Sequence, residues 1–72
     1  MDRSTDDLVK IVKAGAGLIV DGGAKSTEEL IQIASAAGES EVWVTIRNIG
    51  EKKTDELVQI AAAGDGTVIF KV

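Results

Sequence analysis

The sequence predicts an α/β fold built from three imperfect helix–strand repeats, and two observations carry this prediction. One pattern recurs three times: a threonine, two acidic residues, a leucine, a β-branched residue and, two positions later, an isoleucine. A short run rich in β-branched residues follows each copy, as expected of a strand. Self-similarity of this kind is typical of repeat architectures, in which neighbouring units share one core. We expect residues 1–72 to form a single domain, with repeats at about 4–21, 26–47 and 53–72.

Each copy predicts a helix whose start carries a capping group. Thr5, Thr27 and Thr54 occupy one shared position, where a hydroxyl oxygen can accept a hydrogen bond from a first-turn amide. Ser4 and Ser26 offer an alternative frame, in which the acid three residues later completes a capping box. Leucine and isoleucine three residues apart form the buried face of each helix. Small residues end the copies and predict close packing with a left-handed exit. The glycines expected at these exits are Gly15, Gly38 and Gly64.

Three strands are predicted after the helices, at 18–20, 41–47 and 67–72. Successive side chains of a strand point to opposite faces, so each strand divides into two sets. One set is wholly apolar: Leu18, Val20, Val42, Val44, Ile46, Val68, Phe70 and Val72. The other set is mixed: Ile19, Asp21, Glu41, Trp43, Thr45, Arg47, Ile69 and Lys71.

The mixed set decides the order of the strands. Parallel strands joined by helices require right-handed crossovers, and two orders compete. Order 2-1-3 places helices on both faces and demands strands that are apolar on both sides. Order 1-2-3 places all helices on one face and leaves the mixed face open. We therefore predict a parallel sheet in order 1-2-3, as in a leucine-rich-repeat-like or α/β solenoid, with the second and longest strand in the centre.

The open side of this sheet is the predicted interaction face. If the strands are in register, Ile19, Trp43 and Ile69 form an apolar stripe across it, flanked by Thr45 and Lys71. Contiguous exposed apolar patches are uncommon on monomers, and repeat proteins bind through such faces. A second copy of the chain or another protein is the partner expected there. In the alternative, long neighbours such as Arg47 shield these side chains in a monomer.

Composition excludes several classes of function. The chain has no cysteine and no histidine, which removes disulfides, thiolate metal sites and the commonest general base. A net charge of −4 argues against a nucleic-acid surface, which needs clustered Lys and Arg. No apolar run approaches the roughly 20 residues that cross a bilayer, and the polar start is unlike a signal peptide. We expect a cytoplasmic protein without cofactor, metal, nucleic acid or membrane partner.

Glycine-rich segments and strand ends are the remaining candidates for chemistry. Residues 14–23 leave a helix and enter a strand, the reverse of a dinucleotide fingerprint. The loops after the strands are better explained as turns with capping residues than as phosphate loops. Ligands of open α/β sheets lie beyond the carboxyl ends of strands, where Asp21 could act as a base and Arg47, beside Asn48, could bind a carboxylate. No two carboxylates are paired at a defined spacing, and neither Ser35 nor Ser40 has a base partner in the sequence, so the expectation is that the chain is not an enzyme.

The motif Thr-acid-acid-Leu-Val/Ile-x-Ile-Ala-x-Ala, at 27–36 and 54–63, resembles that of short uncharacterised bacterial repeat proteins. The resemblance covers nearly the whole chain and brings no activity or catalytic residue with it. The first copy departs from the motif at Val12, where the others have a small residue. Three hypotheses follow: a non-enzymatic structural or interaction module, a ligand-binding or catalytic domain using the strand ends, and a consensus or designed scaffold without biochemical function.

Overall fold

Helices and strands alternate along the chain in a computed structural model, which describes residues 4–71. The helices are α1 (Thr5–Lys13), α2 (Thr27–Ser40) and α3 (Thr54–Gly64). The strands are β1 (Leu18–Asp21), β2 (Val44–Arg47) and β3 (Val68–Lys71), and a 3₁₀ turn covers Gly22–Ala24. The predicted α/β class is confirmed.

The three strands form one parallel sheet in the order β1-β2-β3, as predicted. Val44 and Ile46 are completely buried, and Val20 is buried on the same side of the sheet. Ile19 and Ile69, which alternate with these positions, are exposed. The helices therefore cover one face of the sheet and leave the other uncovered.

The prediction for the second strand is wrong at its start. β2 has four residues, the same number as β1 and β3, and is not the longest strand. Glu41 instead ends α2 in the left-handed conformation, with φ of +56°, so it does not belong to the mixed face. The helix runs four residues past its repeat motif because Ala37 is completely buried and the turn after it continues the packing. Val72 lies outside the described residues.

Serines, not the shared threonines, cap the first two helices. The Asp7 N–H donates to Oγ of Ser4 at 3.2 Å. At α2 the Glu29 N–H donates to Oγ of Ser26 at 3.2 Å, and the Ser26 N–H donates to Oε1 of Glu29 at 3.0 Å. This reciprocal pair is the capping box of the alternative frame. The prediction that Thr5, Thr27 and Thr54 are the caps is wrong, because each is the first residue inside its helix.

The third helix keeps only half of this arrangement. Lys53 occupies the cap position, and its ammonium group has no acceptor to offer the helix. The Lys53 N–H still donates to Oε1 of Glu56 at 3.0 Å. The acidic residue at the third helical position therefore holds the start of α3 alone.

The threonine hydroxyls join neighbouring repeats instead. Thr5 donates to Oε2 of Glu29 at 2.8 Å, and Thr27 donates to Oε2 of Glu56 at 2.9 Å. Each glutamate thus caps its own helix with one oxygen and accepts a hydrogen bond from the preceding repeat with the other. We call this series the threonine–glutamate ladder.

Close packing explains two of the three glycines, Gly38 against α3 and Gly64 against Val68 of β3. A Cβ added at Gly38 would lie 2.8 Å from the carbonyl oxygen of Gly64, so α2 and α3 approach each other through their backbones. Of these three glycines, only Gly15 adopts the left-handed conformation, with φ of +105°. At α2 and α3 the prediction of a glycine exit is wrong, because Glu41 and Asp65 adopt that conformation.

The core lies between the helices and the covered face of the sheet. Its completely buried large side chains come from all three helices and from the central strand. They are Val12, Leu30, Ile33, Val44, Ile46 and Ile60. Truncating a buried aliphatic residue of this size to alanine removes about 2–5 kcal/mol of stability.

Candidate functional site

The uncovered side of the sheet carries two rows of side chains, set by the strand register. The central row is Ile19, Thr45 and Ile69, which are Cα partners across β1, β2 and β3. The row at the carboxyl ends is Asp21, Arg47 and Lys71. We call this surface, together with Trp43, the open face.

Trp43 does not lie in the row predicted for it. It precedes β2, two residues before Thr45, and the completely buried Val44 between them places both side chains on the open face. Trp43 runs beside Gly17, where an added Cβ would lie 2.8 Å from the Trp43 carbonyl oxygen. Ile19 and Ile69 therefore flank Thr45, and Trp43 stands one row away, about 6.6 Å along the strand.

The apolar side chains of the open face are accessible to solvent. Exposure is 73% for Ile19, 60% for Trp43 and 45% for Ile69. The three surround the half-buried Thr45, which gives the patch a polar centre. A parallel sheet is normally covered on both faces, so this patch departs from the usual burial of such sheets.

Charge is confined to one end of the open face. Arg47 is flanked by Asp21 on one neighbouring strand and Lys71 on the other, all three being exposed. Neighbouring strands lie about 4.8 Å apart, which is close enough for these charges to influence one another. The face thus runs from an aromatic end at Trp43 to a charged end at Arg47.

The predicted strand-end residues lie close together, but their polar atoms bind one another. Asn48 donates from Nδ2 to Oδ1 of Asp21 at 3.0 Å, and the Gly23 N–H donates to the same oxygen at 2.9 Å. The hydrogen bond from Asn48, followed by that from Gly23, holds the pKa of Asp21 below its ordinary value, and the charge of Arg47 acts in the same direction. A carboxylate with a lowered pKa is a weak base, and here it ties the loop after β1 to the loop after β2.

The loop from Asn48 to Lys53 is anchored to the fold. Asn48 has a φ of +60°, a conformation that asparagine tolerates better than most residues. Ile49 is buried in the core, with 5% exposure. Lys52 donates from Nζ to the carbonyl oxygen of Lys25 at 3.1 Å, which joins the loops that precede α2 and α3. These contacts give the loop a role in holding repeats together.

Two kinds of site are missing from the part of the chain that the structure describes. Within residues 4–71, no three acidic side chains converge where a metal ion could bind. Nor is any helix in that range long and apolar enough to cross a membrane.

Comparisons of the chain with protein-family models, with curated proteins and with solved structures find no match. The resemblance to bacterial repeat proteins therefore stays a prediction. The function has to be inferred from the open face and from the contacts between repeats.

Proposed function

We propose that the chain is a non-enzymatic interaction module that associates with a second copy of itself through the open face. The observation that carries this proposal is the exposure of Ile19, Trp43 and Ile69 around Thr45 on an uncovered parallel sheet. Covering these side chains removes apolar surface from water, which favours association by about 25 cal/mol per Å².

The positions of Trp43 and Arg47 favour one relative orientation of the two copies. Trp43 and Arg47 lie two residues on either side of Thr45 in the central strand. If the copies pack with antiparallel strands, the central row meets its own counterpart and Arg47 lies over the partner's Trp43. A guanidinium on an indole face is a favourable cation–π contact. Packing with parallel strands would instead place the two Arg47 side chains against each other and Trp43 against its own counterpart, without the cation–π contact.

The size of the open face makes this association weak. Three strands about 4.8 Å apart, each with about 3.3 Å per residue, give a face of roughly 15 by 17 Å. A stable interface covers about 800 Å² on each partner, which is several times more. We therefore expect a dissociation constant of about 10 μM or weaker, and a reversible dimer.

The state of Asp21 supports a role other than catalysis. Its carboxylate accepts hydrogen bonds from Asn48 and Gly23, and its lowered pKa keeps it ionised and weakly basic. A general base works best with a pKa near the working pH, so a catalytic carboxylate needs a raised pKa. The pKa of Asp21 is shifted in the opposite direction.

Sedimentation velocity over a concentration series, with Trp43 fluorescence recorded on the same samples, tests the proposal. We expect the average mass to rise with concentration while the emission shifts to the blue, because Trp43 becomes covered. The variant Trp43→Glu should stay folded by circular dichroism and lose this dimer, since a charge at an exposed position is tolerated only in the monomer. Ser35→Glu is the matched control, because Ser35 is exposed on α2, away from the sheet.

A constant monomer mass with red-shifted emission at every concentration would contradict the proposal. So would a Trp43→Glu protein that associates as the parent does, or a Ser35→Glu protein that loses association equally. Binding of the monomer to an unrelated protein without self-association would assign the open face to a different partner and overturn the choice of a second copy.

A further inference from the structure

The surface that each helix presents to the next repeat is buried in the first two repeats and exposed in the third. At the threonine position of the repeat, Thr5 is 8% exposed, Thr27 is half-buried and Thr54 is exposed. One turn later, Val9 and Ile31 are half-buried, whereas Val58 is 60% exposed. We call Thr54, Val58 and Ala61 the trailing surface of the chain.

Val12 and Ala34 show the same trend at the third position of this surface. Both are completely buried, and their counterpart Ala61 is exposed. The trailing surface on α3 therefore has the residue types that pack against a following helix twice within this chain.

The complementary surface is exposed at the opposite end of the stack. Ile33 and Ile60 are completely buried where α2 and α3 receive the preceding helix, whereas their counterpart Ile11 is only half-buried. Ala36 is buried and its counterpart Ala14 is exposed. We call Asp7, Ile11 and Ala14 the leading surface of the chain.

We propose that the trailing surface of one copy binds the leading surface of another, head to tail. The occupant is argued from continuity, because this is the interface that joins α1 to α2 and α2 to α3. The sheet fits the same arrangement: β1 and β3 are its edge strands, and both run parallel to β2. Placing β1 of one copy beside β3 of the next continues the parallel pairing without reversing a strand.

One side chain limits how well the leading surface completes the interface. The ladder position is glutamate in the second and third repeats, but it is Asp7 in the first. Aspartate is one methylene shorter, so its carboxylate falls short of the place where Glu29 and Glu56 receive a threonine hydroxyl. The head-to-tail contact is therefore weaker than the internal contacts it repeats.

Mixing two variants tests the direction of this contact. Both carry Trp43→Glu, which removes the dimer of the proposed function, so that the two proposals can fail independently. Val58→Arg blocks the trailing surface, and Ala14→Arg blocks the leading surface. Each replaces an exposed residue, so the fold should be retained, which circular dichroism checks. In sedimentation, we expect each variant alone to be monomeric, and an equimolar mixture to form a dimer and nothing larger.

Other outcomes overturn the head-to-tail arrangement. If Ala14→Arg alone forms a dimer, the trailing surfaces bind each other about a twofold axis. If both the mixture and the Trp43→Glu parent stay monomeric, the head-to-tail contact does not form. Association of the parent that neither arginine weakens would place the contact elsewhere.

A gain of affinity supplies a second test. In the Trp43→Glu background, Asp7→Glu should lower the dissociation constant by roughly two- to tenfold, because one hydrogen bond to the partner's Thr54 is completed. Adding Thr54→Val should abolish that gain. Any effect of Asp7→Glu on the cap of α1 lies within one chain and should remain. The control Asp6→Glu lengthens an exposed acid of the same turn and should change nothing. An equal gain from Asp6→Glu, or one that survives Thr54→Val, would contradict the proposal.

Discussion

The hydroxyl of Thr27 donates a hydrogen bond of 2.9 Å to Oε2 of Glu56, while Oε1 of the same carboxylate accepts the Lys53 N–H at 3.0 Å. One side chain thus caps α3 and binds α2. Thr5 and Glu29 repeat the relationship one unit earlier, so the contact belongs to the repeat and not to a single site.

Removing a hydroxyl within the ladder should destabilise the fold more than removing the hydroxyl at its end. Thr27→Val keeps the shape of the side chain and leaves Oε2 of Glu56 without its donor, so we expect a lower free energy of unfolding. Thr54→Val, at an exposed position, should change that free energy by no more than about 0.5 kcal/mol. Urea unfolding followed by circular dichroism measures both. Equal effects of the two variants would show that the ladder contributes nothing.

The ladder should also make stability depend on pH in the acidic range. The Ser26 N–H, then the Thr5 hydroxyl, holds the pKa of Glu29 below its ordinary value of 4.5, and the Lys53 N–H, then Thr27, does the same for Glu56. A folded-state pKa below the unfolded value contributes stability that is full above the unfolded value and is lost as the pH falls through the folded one. We expect the free energy of unfolding to fall as the pH drops below about 5.

A glutamine double variant isolates the ladder's share of this pH dependence. Glu29→Gln with Glu56→Gln should flatten the acid limb, leaving the contribution of Asp21, whose pKa is also lowered. Unfolding curves at several pH values compare the variant with the parent. An unchanged slope would mean that other carboxyl groups cause the loss.

Adding a methyl group at Gly38 should separate α2 from α3. Its Cβ would lie 2.8 Å from a backbone oxygen of Gly64, which cannot move without shifting the helix. We expect Gly38→Ala to destabilise the fold by about 1–3 kcal/mol, although alanine is the better helix former. Gly50→Ala is the control, because nothing lies within 4 Å of its added Cβ, and it should be neutral or stabilising by up to about 1 kcal/mol. Thermal unfolding distinguishes the two, and a stabilising Gly38→Ala would contradict the close approach.

Glycine at the end of α2 should stabilise the fold. Glu41 holds φ at +56°, a conformation that strains residues with a Cβ and suits glycine. Glu41→Gly should therefore raise the free energy of unfolding by about 0.5–1 kcal/mol, offset in part by the greater freedom of the unfolded chain. Glu39→Gly removes the same charge from an exposed position inside α2 and should lower the free energy of unfolding by about 1 kcal/mol. Shifts of the same sign would argue against the left-handed exit.

The fold was predictable because its signals are local and repeated. The alternation of Val44 and Ile46 with Thr45 and Arg47 depends only on strand geometry. A sheet with one mixed face excludes the order 2-1-3, so the order 1-2-3 remains. The position of Trp43 was not predictable in the same way. It depends on the register between strands, which the loops before β1 and β2 determine.

The capping frame illustrates a second limit. Ser26 and Thr27 are adjacent and both carry a hydroxyl, so helix-start preferences alone accommodate either residue as the cap. Only the position of Glu56 on the next helix gives Thr27 a partner of its own. At the other end of α2, the contact between Gly38 and Gly64 carries the helix past its motif, and that contact is likewise between repeats.

The ladder also bears on how such a protein could lengthen. The second repeat carries both halves of the contact, a donor in Thr27 and an acceptor in Glu29, and Leu30 and Leu57 are 27 residues apart. Duplicating residues 27–53 in tandem would therefore insert a helix and a strand whose two neighbours already match them. Growth by internal duplication requires no new complementary surface, and a four-stranded descendant would be folded from its first generation.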